Sequence, residues 1–106
     1  MARIFRKIQQ GSAFITKEMA DESVDDSVSV GATSTAVLVA NSDRIEAILC
    51  NDSDEVMYLG FGNDAVMNKG TRLNRWGGTI IVVAFVGAVN AICASGSKNL
   101  CYSELS

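Results

Sequence analysis

A chain of 106 residues that is 48 % apolar and free of proline has the material for one domain with a single core. Nine basic against twelve acidic side chains leave a net charge of −3, which argues against a nucleic-acid-binding surface, where a basic surplus is the rule. No histidine is present, so the commonest general base and metal ligand is missing.

Residues 1–26 read as an N-terminal arm distinct from the rest of the chain. Ile4, Phe5 and Ile8 fall on one face at helical spacing, with Arg3, Arg6 and Lys7 around them. Gly11 interrupts, and Ser12 can cap a second short helical piece running to Met19. Neither piece is long enough to stand alone in water. The apolar side chains therefore need a covering surface, and Arg3, Phe5, Arg6, Ile8, Phe14 and Ile15 are the candidate partner-binding residues. The basic tip is followed by an acidic neck, Glu18 to Asp26, a charge order suited to docking on another protein. The opening MARIFRKIQQG lacks the apolar stretch of a secretory signal, so folding in a cytoplasm is expected.

From Ser27 the period becomes two, and residues 27–106 read as a β-domain. Ser27-Val28-Ser29-Val30 alternates as a half-buried strand. A turn at 31–34 leads to a strand over 35–40, and Asn41-Ser42-Asp43 turns into a strand over 44–50, with Arg44 and Glu46 exposed on one face. Asn51 to Glu55 is a polar hairpin loop, and residues 56–59 return as a strand ended by Gly60-Phe61-Gly62. An irregular connection over 63–71, with one apolar contact at Ala65-Val66-Met67, precedes Trp76 and Gly77-Gly78. Residues 100–103 form the last strand.

The stretch Trp76 to Ala94 carries no charge and lies between Arg75 and Lys98. Its length permits a membrane-spanning helix. Its β-branched first half and the break at Gly87 instead predict two strands joined as a hairpin, with Asn90 inside the second. Ile81, Val83 and Phe85 then line one face, and Ile80, Val82 and Ala84 the other. With the hairpin central in a two-layer fold, both faces are covered, and Val83→Asp is expected to unfold the protein. The expected architecture is all-β: a compact antiparallel β-sandwich or barrel of about eight short strands with an N-terminal arm.

Catalytic and cofactor chemistry finds no foothold in this pattern. Cys50, Cys93 and Cys101 are odd in number, lack metal-ligand or CxxC spacing, and read as reduced core residues. Asp52 and Asp54 have DxD spacing without the glycine and distant glutamate of a calcium loop, so they read as a solvated turn. Gly60-Phe61-Gly62 lacks the third glycine and helix of a dinucleotide loop, and Trp76 reads as a cover for one end of the core. The expectation is a non-enzymatic interaction or structural module with no cofactor and no metal site.

The segment from Thr35 to Glu104 resembles small β-sandwich virion proteins of tailed bacteriophages. The matching residues are Asn41 and Arg44, Asn51-Asp52-Ser53-Asp54, Tyr58-Leu59-Gly60 with Gly62, and Ala65. After these come Gly70-x-x-Leu73, Gly77-Gly78, Phe85-x-Gly87, and Ala91-Ile92-Cys93-Ala94. The resemblance implies a capsid decoration or cement protein on the capsid surface, assembled in the host cytoplasm. It also implies binding to the major capsid protein or another virion protein, as a homo-oligomer without nucleic-acid or membrane contact. A neck, tail or fibre-anchoring component is the alternative within the particle. A holin-like membrane protein using 76–94 as its span is the alternative of another class.

Overall fold

A computed structural model describes residues 19–106. It contains eight strands and, among the described residues, no helix: β1 (Ser23–Val30), β2 (Thr35–Leu38), β3 (Glu46–Asn51), β4 (Met57–Phe61), β5 (Thr71–Leu73), β6 (Gly78–Val83), β7 (Val89–Cys93) and β8 (Lys98–Leu105). They form two antiparallel four-stranded sheets. Sheet A has the order β1-β8-β3-β6, and sheet B has the order β2-β7-β4-β5. The expected all-β sandwich is therefore the fold.

The core lies between the two inner faces and follows period-two alternation. Sheet A contributes Val30, Ala47, Leu49, Val82 and Leu100, and sheet B contributes Leu38, Met57, Leu59, Val89, Ala91 and Cys93. Leu49, Leu59 and Leu100 are almost wholly excluded from solvent; burying each stabilises the fold by roughly 1.5–3 kcal/mol.

The strand bounds differ most from the sequence reading at β1 and β5. β1 begins at Ser23, inside the acidic neck, because its polar residues pair along the whole length of β8. Even Glu22 and Ser106 exchange main-chain hydrogen bonds beyond the strand ends. β5 begins at the end of the stretch expected to be an irregular connection; three residues suffice because β4 supplies the whole ladder. Residues 62–70 fold back on the outer side of sheet B. A Cβ at Gly60 would lie 2.7 Å from the Asn63 carbonyl oxygen, so the loop rests where that side chain would be.

The stretch 76–94 does form two strands, but they are not a hairpin. β6 pairs with β3 at the edge of sheet A, whereas β7 lies between β2 and β4 in sheet B. The chain crosses between layers over 84–88. Ala84 takes a left-handed φ of 63°, and Phe85 turns its ring onto Phe61, edge to face at 5.7 Å. This crossing makes β6 an edge strand with one wet face. Val82 is 8 % exposed while Ile81 is 57 % and Val83 68 % exposed. The expectation that Val83 is buried is thus corrected: Val82 is the core residue. Among the described residues no helix is long and apolar enough to cross a membrane, and the holin-like use of 76–94 as one helical span does not match its two strands.

Two buried polar side chains hold the ends of the sandwich. Arg44, expected on an exposed face, is 2 % exposed. Its Nε donates to Glu104 Oε2 at 2.8 Å, and Nη1 donates to the carbonyls of Phe85 and Gly87, both at 2.9 Å. Nη2 donates to the Val39 carbonyl at 2.7 Å. One planar guanidinium thereby ties the exit of β2, the layer crossing and β8. At the other end Asn51 donates from Nδ2 to the Glu55 and Leu73 carbonyls and accepts from Ser53 Oγ at 2.7 Å. The 51–55 loop is therefore a buried corner at Asn51 and Ser53 and a solvated turn only at Asp52 and Asp54.

Candidate interaction surface

The outer face of sheet A can be read row by row from the strand register. One row runs Ser23, Leu105, Glu46, Val83; the next runs Asp25, Ser103, Ile48, Ile81; the third runs Ser27, Cys101, Cys50, Thr79. Each row begins polar at β1 and ends uncharged at β6. Residues at alternate positions share a face, so the Asp25 and Glu46 carboxylates lie on the same surface as Ile48, Ile81 and Val83. No described segment covers it: Ile81 and Val83 stand exposed, and Ile48, Cys50, Cys101 and Leu105 are half-buried only by their neighbours.

The polar side is well ordered. Asp25 accepts a hydrogen bond from Ser23 Oγ at 2.7 Å, and this bond, with another from Ser103, holds its carboxyl below the usual 3.8. Between β1, β8 and β3 lies a shallow depression of about 240 Å³, bordered by Asp25, Ile48, Cys50, Cys101 and Ser103. Tyr102 also borders it and packs against the core; burial first, then the charges of Asp26 and Glu104, push its phenol above the usual 10.0. The phenol therefore stays protonated near neutrality.

The cysteines divide into two kinds. Cys93 is buried in the core as expected, its Sγ 3.4 Å from the Val30 carbonyl oxygen, and burial raises its thiol above the usual 9.0. Cys50 and Cys101 are not core residues. They face each other across β3 and β8 on the outer surface, both as free thiols.

Around the Asn51 corner, charges pair locally. Asp54 accepts from Lys98 Nζ at 2.7 Å, which lowers the Asp54 carboxyl and raises the Lys98 ammonium. Glu55 accepts from the Ser95 main chain and hydroxyl, which lower its carboxyl. Among the described residues no group of three or more potential ligands is placed to hold a metal ion. Trp76 does not cover the core: it is 71 % exposed, with a left-handed φ of 55° and its main-chain N–H on the Ser53 carbonyl.

The partner-binding residues expected from sequence, Arg3, Phe5, Arg6, Ile8, Phe14 and Ile15, lie outside the described residues. Sequence reasoning misses the surface residues Ile48, Ile81 and Val83 because uniformly apolar strands read as buried on both faces. The signal lies in the neighbouring strands, whose Glu46, Asp25 and Ser103 share that face, but it requires the register to be known. No family model, curated protein or solved structure matches the chain.

Proposed function

We propose that this protein is a non-enzymatic structural component of a tailed-bacteriophage virion, a decoration or cement protein that binds the major capsid protein on the outside of the capsid. The observation that carries the reading is the outer face of sheet A, a sheet surface on which exposed Ile81 and Val83 and half-buried Ile48 and Leu105 lie among the Asp25 and Glu46 carboxylates. A face of this kind suits binding to another protein, since exposed contiguous apolar surface marks interaction sites. The clamps at Arg44 and Asn51 support it too, because a scaffold closed at both ends presents its surface with little entropy left to lose. The sequence resemblance over Thr35 to Glu104 supplies the setting.

The test is co-sedimentation of the full chain with purified virions, followed by its copy number. Occupancy that scales with the number of capsid subunits is expected. Ile48→Lys, which places a charge at the middle of the face without touching the core, should lower that occupancy while the protein stays folded. A ring's worth of copies at one vertex would move the protein to the neck or tail. A chain that remains in the supernatant at saturating concentration would overturn the virion reading.

A further inference from the structure

Each sheet has two edges, and three of the four are blocked against further pairing. On β1, Asp26 Oδ1 accepts the main-chain N–H of Ser27 at 2.8 Å, filling an edge donor with the strand's own side chain, and Asp25 adds a second charge. β2 has four residues and a register shift between Ala36 and Leu38. β5 has three residues and carries Arg72. Shortness, bulges and charges are the devices by which edges avoid unwanted partners.

β6 has none of them. It is six residues long, its register with β3 is unbroken from Gly78 to Val83, and no charged residue occurs between Arg75 and Lys98. Hydrogen bonds in an antiparallel ladder alternate sides. The bond from Ala84 N–H to the Ile45 carbonyl continues the β3–β6 register and fixes the even-numbered residues as those bonded to β3. The N–H and C=O groups of Thr79, Ile81 and Val83 therefore point outward, and nothing among the described residues pairs with them. The same three residues carry the exposed side chains of the strand.

We propose that this edge is a homodimer seam, in which β6 of one copy pairs antiparallel with β6 of a second copy about a two-fold axis through Ile81. The argument for a second copy is self-complementarity. The three outward residues are evenly spaced about Ile81, so Ile81 faces its own copy and Thr79 faces Val83 of the partner subunit. A two-fold interface requires this reciprocity. Each facing pair is of the type that exchanges two main-chain bonds, giving about six across the seam. The side chains meeting along it are β-branched and uncharged, a favourable cross-strand combination with no like-charge clash. The strand ends agree: exposed Trp76 precedes β6 and exposed Val86 comes after it, and the antiparallel pairing sets one end against the other. The two A sheets become one eight-stranded sheet with a continuous outer face. The seam depends on the β6 edge alone and not on what that face docks against.

Sedimentation of the full chain across concentration tests it, without virions present. The wild type should sediment as a dimer, equally at low and high salt, and the Thr79, Ile81 and Val83 amides should be slow in hydrogen exchange. Ile81→Lys and Ile81→Glu should each keep the wild-type circular dichroism and halve the mass. Mixing the two variants should restore a 1:1 dimer, because opposite charges then face one another on the axis. A monomeric wild type at high concentration would overturn the seam, as would a dimer that survives both charge variants. Failure to bind virions would leave these results unchanged, so the seam and the virion role are judged separately.

Discussion

Replacing Arg44 by Met removes the donors that close one end of the sandwich. Three main-chain carbonyls, at Val39, Phe85 and Gly87, lose the guanidinium, and the Glu104 carboxylate loses its cation while keeping the Asn41 Nδ2 donor at 3.3 Å. Leaving a buried acceptor unsatisfied costs about 1–3 kcal/mol. Glu104 is 17 % exposed at its side chain and rehydrates in part, and relaxation lets water reach some of the carbonyls. The net loss is therefore set at about 4 kcal/mol, as for breaking one partner of a buried ion pair. Against a total stability of roughly 5–15 kcal/mol this leaves a weakened or unfolded protein. Urea unfolding followed by far-ultraviolet circular dichroism measures it, since Trp76 is already exposed and reports folding poorly. With a slope of about 2 kcal/mol/M, the midpoint should fall by about 2 M. Arg44→Lys retains the charge but not the planar fork, and should lose about half as much. A loss below about 1 kcal/mol for Arg44→Met would show that the guanidinium is not what holds the layer crossing.

Neighbouring valines on β6 should separate cleanly: Val82→Asp is expected to be unfolded or insoluble, whereas Val83→Asp stays folded, as solubility and circular dichroism would show. Gly60→Ala should destabilise the fold by about 1–3 kcal/mol in urea unfolding, because its Cβ has no room beneath the 62–70 loop. In the native protein a thiol reagent should react with Cys50 and Cys101 and reach Cys93 only after unfolding; rapid labelling of Cys93, read by mass spectrometry, would contradict its burial. Asp25, Asp54 and Glu55 all have carboxyls held below their usual values of 3.8, 3.8 and 4.5. Their contribution is fully present above those values and is lost as pH falls through the lower folded-state values. The urea midpoint should therefore hold from neutrality to about pH 5 and decline below about pH 4.5, less steeply in Asp54→Asn/Glu55→Gln.

The β character of the chain is legible in the sequence because it is local. Ser27-Val28-Ser29-Val30 alternates, and Thr79 to Val83 is β-branched, and both are strands. Partner choice is not legible, because it is not local. A turn near Gly87 is required equally by a hairpin and by a crossing between layers. What decides for the crossing is Arg44 gripping the carbonyls of residues 85 and 87 while paired with Glu104, sixty positions away. The same non-local fact turns β6 into an edge and exposes Val83.

The turn and corner residues singled out in the sequence gain a physical meaning from these positions. Asn41, Arg44, Asn51, Ser53 and the Gly77-Gly78 pair sit at the two ends of the sandwich. There they donate, accept or leave room for main chain. Gly60 makes room for the loop on sheet B, and Gly87 does so for the Phe85 ring. A pattern composed of such residues encodes how the ends and loops are closed, which is why it points to an architecture. Ile48, Ile81 and Val83 lie between the clamps, outside the pattern, on the outer face of sheet A. They are free to vary without cost to the core, so substitutions there can change the partner while the scaffold stays the same. Binding specificity should accordingly depend on this face: exchanging Ile48, which lies on β3 away from the β6 edge, should alter what the protein docks on and leave the stability from urea unfolding within about 0.5 kcal/mol of wild type. If stability moved as much as binding did, the face would belong to the core and the separation of scaffold from surface would fail.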